Sequence, residues 1–356
     1  MKSKSETIDT RYNKQNEVVK YKFFQRLQYK RENNKDPKKK STIQQYVNAI
    51  HEFEVATKFK DLKNFTYQWA IDYKEYLLQK KNKKTNKNIA IDSYIHFLQY
   101  PRELLDYLRK NEKGYSHIKE SDIDYLYPTN GEKNSVSATS YQESYTIQEC
   151  LFAIRKMQAK TEIEMRDKAM ISLCLLTAPR ISALITAKLR SIRYFREYDC
   201  WAFEQNPNFV NTKNSNNITA YFIGNLQDIY QNVFDWINYL KSKGFADEDH
   251  LFPRFEASFT SEGLKTLILE KNIIKSQTTI RKIFENAFKN NDLHYLKPHT
   301  FRHAITRKAN ELPNSSKWIS VLNQNFGHKL DSVILSSYGT IAENKRGKIL
   351  KDFPLE

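Results

Sequence analysis

Apolar residues recur at helical spacing almost from the start of the chain. In NEVVKYKFFQRLQYKRE, Val19, Phe23 and Leu27 fall four apart and predict a helix with one buried face. The basic loop NNKDPKKKS follows, and Ser41 or Thr42 is placed to cap the next helix, TIQQYVNAIHEFEVA, with Ile43, Tyr46, Val47, Ile50 and Phe53 inward. A third helix is expected around YQWAIDYKEYLLQ, ending in KKNKKTNK. A fourth is expected from about Asn88 through IDSYIHFLQY. Pro101 then starts a short helix carrying Leu104, Leu105 and Leu108.

Residues 128–144, PTNGEKNSVSATSYQES, are small and polar with no apolar period, which marks a linker. The expected division is a flexible terminus at 1–14, a helical domain at 15–115, a linker at 116–145 and a second domain at 146–356. The second domain opens with helices through RDKAMISLCLLTAPRISALITAKL, interrupted near Pro179. Two strand-like pieces follow, DCWAFEQ and FVNTKNSNNITAYFI. The latter reads as a hairpin around the turn formers Asn214, Ser215, Asn216 and Asn217. From Leu226 to the end the pattern is read as helical, and no internal repeat is present. The fold class is mainly α with a small β-sheet or hairpin in the second domain, an α+β arrangement.

The 40% hydrophobic and 13% aromatic content of the 356 residues belongs to a folded chain, and 8 glycines with 9 prolines favour helices over turn-rich repeats. No apolar run reaches the roughly 18 residues of a transmembrane helix, and MKSKSETIDT lacks the apolar core of a secretory signal. Cys150, Cys174 and Cys200 are widely spaced without a CxxC pair, so they read as reduced, buried thiols in a cytoplasmic protein. Charge changes the picture most. A net +17 with pI near 9.4 attracts polyanions, nucleic acid before anionic membrane.

Several residues of the second domain could handle a phosphodiester. Arg180 lies at a helix break, Lys213 at the mouth of the expected hairpin turn, and His299 and Arg302 share one face of the helix begun at Pro298. His328 follows Gly327 at a helix end, and Tyr338 lies ten residues later. Two arginines can fork onto non-bridging oxygens and stabilise a pentacoordinate phosphorane. Imidazoles can move protons near neutrality, a lysine can protonate a departing oxygen, and a tyrosine can attack phosphorus. Each has a plainer alternative. Arg180 could join helices and Lys213 could be a turn lysine. His299 with His303 is also an i, i+4 pair of the zinc-binding kind, though without the glutamate of the metalloprotease motif. His328 could be a helix cap, and Tyr338 is one of 22 tyrosines.

Taken in order, these segments resemble the tyrosine recombinase, or phage integrase, family. LLTAPRISALITAKL is similar to the segment of the family's first arginine, here Arg180. NTKNSNNITAYFI resembles the hairpin presenting its lysine, Lys213. PHTFRHAI resembles the His-x-x-Arg box at His299 and Arg302, NQNFGHKL the glycine–histidine element at His328, and ILSSYGTI the nucleophile segment at Tyr338. The chain departs from the pattern at Ala183, where an acid that orients its neighbours is usual. It also departs at Ala178 and Pro179, which replace a glycine-containing approach, and at Asp331 to Ser337, a slightly long spacing before Tyr338.

The resemblance covers nearly all of the chain from about residue 15. It implies a two-domain, C-shaped clamp on duplex DNA, with a helical core-binding domain before the catalytic one and no room for an extra arm-binding domain before residue 15. The basic loops at 32–40 and 80–87 would grip phosphates through Lys38, Lys39, Lys40, Lys80, Lys81, Lys83, Lys84 and Lys87. It implies site-specific cleavage and rejoining of strands through a 3′-phosphotyrosine at Tyr338, without ATP, cofactor or metal. The implied assembly is a homotetramer on two DNA sites, in the cytoplasm and nucleoid, serving a mobile element, with accessory or directionality proteins as further partners and no membrane. A type IB topoisomerase or resolvase would use the same chemistry. A catalytically silent DNA-binding regulator and a basic helical adaptor are the alternatives of other classes. The tail AENKRGKILKDF is expected to be a helix whose Ile349, Leu350 and Phe353 dock on a neighbouring subunit or on its own domain.

Overall fold

The computed structural model describes residues 13–33, 40–82, 86–132, 143–212, 216–259, 265–327 and 341–356. The chain divides into two compact units, Met1–Gln142 and Glu143–Glu356. No helix among the described residues is long and apolar enough to cross a membrane.

The first unit is helical: α1 (Lys14–Asn33), α2 (Lys40–Ala56), α3 (Tyr67–Gln79), α4 (Ile91–Asn111) and the short α5 (Glu120–Asp124). Helix α1 buries Val19, Phe23 and Leu27, the face its spacing predicts. Helix α2 buries Tyr46, Ala49, Ile50 and Phe53, while Val47 is exposed, so the inward stripe is narrower than the apolar count suggests.

Helix α4 runs unbroken through Pro101, where a helix boundary was expected. A proline cannot donate to the carbonyl four residues back, and that carbonyl, of Phe97, accepts instead from the Tyr73 hydroxyl at 3.2 Å. A tertiary hydrogen bond thus offsets the local defect. The expected linker is also shortened. From residue 116 onward the chain supplies Ile118, Ile123 and Leu126 to the same core as Phe53 and Tyr73.

In the second unit, α6 (Ile147–Lys156) and α7 (Glu162–Thr177) each begin with a reciprocal Thr–Glu capping box, Thr146 with Glu149 and Thr161 with Glu164. Helix α7 is apolar nearly all round and forms the centre, with every residue from Ala169 to Thr177 buried. The short α8 (Ile181–Thr186) leads to the antiparallel sheet β1 (Ile192–Phe195), β2 (Cys200–Gln205) and β3 (Ile218–Tyr221), in the order β1-β2-β3. Residues 209–212 were expected to be the first hairpin arm. Instead the partner of β3 is β2, with Gln205 opposite Ile218. Pro207 cannot extend a strand ladder, and a turn closes there through Val210 N–H to the Asn206 carbonyl at 2.8 Å.

Helix α9 (Gln227–Ser242) packs on α7. A second antiparallel pair follows, β4 (Pro253–Phe259) and β5 (Lys265–Ile273), within a region read as wholly helical. Helices α10 (Gln277–Lys289), α11 (Thr300–Glu311), α12 (Ser315–Asn325) and α13 (Glu343–Lys351) complete the unit. The tail lies on its own unit. Leu350, Phe353 and Leu355 are buried in that core, the Phe353 ring meets Trp318 edge-on at 5.2 Å, and Gly224 N–H donates to the Leu350 carbonyl at 2.8 Å. Cys150, Cys174 and Cys200 are free and buried.

Candidate active site

Helix α7 ends at Thr177, and Ala178 closes it in the left-handed conformation, φ 42°, ψ 51°. A residue with a Cβ is disfavoured there by about 1–2 kcal/mol, so the local chain is held by its surroundings. Pro179 is buried, and Arg180 then caps the start of α8 in extended conformation. This reversal places Arg180 beside α11.

Helix α11 contributes His299 at its N-terminal boundary and Arg302 one turn on. Arg302 is 4% exposed. Its Nε donates to the Ala178 carbonyl at 2.6 Å, its Nη1 to the Phe326 carbonyl at 3.3 Å, and its guanidinium carbon lies 5.1 Å from the centre of the Phe326 ring. A buried cation is costly unless hydrogen-bonded. Here two main-chain carbonyls accept from it and fix its direction as well. Ala183, where the family's acid is usual, is 1% exposed and packed in the core. Arg302 is oriented without it.

Positive groups converge at this point. Burial first, and then the charge of Arg180, brings Arg302 down to about 9, so it stays protonated at neutral pH. Burial also lowers Arg180. His299 is pushed down to about 4, by desolvation of its ring first, with Arg302, His303 and Arg180 adding to the effect, although the residue as a whole is exposed. His303 meets it edge-on, ring centres 5.3 Å apart, and is itself lowered by burial and by Arg307 and Arg302. At pH 7 the cluster therefore holds two guanidinium cations and two neutral imidazoles, an arrangement that favours an anion. It also argues against a bound metal cation at the His299–His303 pair, because the nearest charges are positive.

The structure brings Arg180, His299 and Arg302 together. Lys213, His328 and Tyr338 lie outside the described residues, as do Lys38, Lys39, Lys83 and Lys84. Lys40 opens α2. Lys80 is ion-paired with Glu52 at 2.8 Å and sits over the Tyr76 ring. Lys81 and Lys87 are exposed on a loop closed by a bridge between Lys81 and Asn88. The sequence reading missed the two carbonyls that hold Arg302 and the buried Asn325 beside one of them. Asn325 follows two other polar residues in SVLNQNF, so nothing local singled it out.

The phage integrase family model matches residues 148–345, more than half of the chain, and the chain belongs to that family. It is a site-specific recombinase enzyme, mostly helical with small antiparallel sheets, in the catalytic fold of the tyrosine recombinases. Among solved structures it is similar to a lambda integrase fragment crystallised as a dimer on a COC′ core site, with TM-score 0.55 and 13% identity over 91% of this chain and 95% of that one. It is similar to the XerH site-specific recombinase in a post-cleavage complex with palindromic difH, with TM-score 0.54 and 13% identity over 85% and 77%. It also resembles the Tn1549 transposon integrase bound to transposon right-end DNA, with TM-score 0.50 and 14% identity over 90% and 96%. No curated protein sequence matches it.

Proposed function

We propose that this recombinase cuts and rejoins duplex DNA through a covalent 3′-phosphotyrosine at Tyr338, in the service of a mobile genetic element. The Tyr338 oxygen attacks the scissile phosphorus, the bond to the 5′-oxygen breaks, and Lys213 delivers the proton to that leaving oxygen. Attack of a 5′-hydroxyl on the phosphotyrosine reverses these steps and reseals a strand, so the energy of the original bond is kept. Arg180 and Arg302 bind the non-bridging oxygens, assisted by His328, and their hydrogen bonds strengthen as charge accumulates on the phosphorane. His299, neutral at pH 7, takes the tyrosine proton. Lys38, Lys39, Lys40, Lys80, Lys81, Lys83, Lys84 and Lys87 of the first unit bind backbone phosphates without reading sequence. Four copies act on two duplex sites, where accessory proteins can set direction.

One observation carries this reading: a buried guanidinium hydrogen-bonded to two main-chain carbonyls, with a second arginine and two histidines around it. The test uses nicked duplexes built from repeats flanking the gene, so that the cleaved 5′ fragment diffuses away. An SDS-resistant protein–DNA adduct is expected, and Tyr338→Phe abolishes it. An adduct that persists in Tyr338→Phe, or none from the unaltered chain, refutes the mechanism. Exchange between two sites, as opposed to relaxation of supercoils alone, separates recombination from topoisomerase activity.

A further inference from the structure

The three-stranded sheet ends at β3, and an edge strand presents main-chain groups that must find partners when buried. Along β3 side chains supply them. The Thr219 carbonyl accepts from Arg346 Nη2 at 3.3 Å. Tyr221 is met on both of its groups by Asn325, whose Oδ1 accepts from the Tyr221 N–H at 2.7 Å while its Nδ2 donates to the Tyr221 carbonyl at 3.0 Å. Asn325 is wholly buried, and its carboxamide stands where the peptide group of a fourth strand would stand.

This contact ends close to Arg302. The next residue, Phe326, offers the carbonyl that accepts from Arg302 Nη1 and the ring beneath its guanidinium. Gly327 follows with φ +65°, and a Cβ there would come within 2.3 Å of Ile218 Cδ1, so the end of α12 is seated directly against β3. The edge of β3, the carboxamide, the Phe326 carbonyl and Arg302 form one continuous connection.

We propose that Asn325 is a positioning residue for Arg302. By fixing the end of α12 to β3, it sets the direction of the Phe326 carbonyl and hence of the guanidinium that receives the scissile phosphate. Only an amide supplies both the donor and the acceptor at this place. Leucine has a similar shape and neither group, and aspartate keeps only the acceptor. The proposal rests on the catalytic role assigned to Arg302 above.

The test compares the unaltered chain, Asn325→Leu and Arg302→Ala on two nicked duplexes carrying the crossover sequence. One has the natural phosphodiester. The other has a methylphosphonate at the scissile position, a neutral group with less need of a cation. A displacement of about 1 Å can cost on the order of 100-fold in rate, so Asn325→Leu is expected to form adduct about 100-fold more slowly on the phosphodiester. On the methylphosphonate it should approach the unaltered chain, as Arg302→Ala should, with its thermal midpoint still above the assay temperature. Equal losses on both duplexes would mean a loosened fold and would overturn the proposal, as would an unaltered rate. Should Asn325→Leu fail to fold, Asn325→Asp carries the same comparison. Absence of adduct from the unaltered chain, in contrast, refutes the catalytic reading itself, and the proposal with it.

Discussion

Three lysines of the first unit and Arg302 of the second meet different surroundings. In the first unit, buried Lys20 and half-buried Lys74 and Lys80 are matched to carboxylates: Lys20 to Glu54, Lys74 to Glu132 at 3.2 Å and Lys80 to Glu52 at 2.8 Å. In the second, Arg302 is more deeply buried than Lys74 or Lys80 and donates to two main-chain carbonyls, while Arg180 and two histidines gather around it. A cation paired with a carboxylate is partly neutralised in place and has less charge left for a phosphate. A buried cation facing other cations raises the energy of the resting protein and lowers it again when an anion arrives. Net charge alone does not separate these cases; the partner of each charge does.

The contrast is broken most severely at Arg302. Arg302→Lys keeps the charge but loses the planar fork that reaches two carbonyls and a phosphate together. Removing a preorganised donor of this type costs about 3–4 kcal/mol of barrier, so the rate of adduct formation should fall by about 100- to 1000-fold. Single-turnover kinetics on nicked DNA would show it, and a rate near that of the unaltered chain would place Arg302 among the structural cations.

Tyr73→Phe probes the first unit. It removes the hydroxyl that serves the Phe97 carbonyl left by Pro101, and urea denaturation should show a loss of about 1 kcal/mol with adduct formation unchanged. On the surface, Lys81→Ala should reduce the dependence of log affinity on log salt by about 0.9 if that lysine contacts one phosphate. Lys80→Ala should reduce it less, because Glu52 already holds Lys80. Equal effects in a salt titration would remove the distinction between paired and exposed lysines.

The smallest effect concerns pH. His299 is lowered from its ordinary 6.5 to about 4 in the folded chain. Between those values the unfolded chain binds more protons, so this group's contribution to stability is present above about pH 6.5 and is lost as pH falls toward 4. His299→Gln should flatten that part of the acid-unfolding profile. An identical slope in the variant would show that His299 is not desolvated.

Much of this was legible in the sequence because helical faces and the Arg180 and His299–Arg302 segments are local patterns. The α1 stripe and the box in PHTFRHAI needed nothing distant to be recognised. What was missed depended on contacts far along the chain. Helix α4 passes Pro101 because Tyr73 reaches the exposed carbonyl. Ala178 holds a left-handed backbone whose carbonyl Arg302 engages 124 positions later. The β4–β5 pair was hidden because its short apolar runs, such as TLILE, fit a buried helix as well as a strand. Asn325 looked like an ordinary helix residue until Tyr221 was seen opposite it.

That the Arg180–Arg302 cluster receives a scissile phosphate is tested most directly by the titration of His299. Histidine-labelled Tyr338→Phe protein, free and bound to intact crossover duplex, would be followed by NMR. The His299 pKa is expected to rise from about 4 in the free protein as the phosphate neutralises Arg180 and Arg302. A pKa unchanged on binding would contradict it.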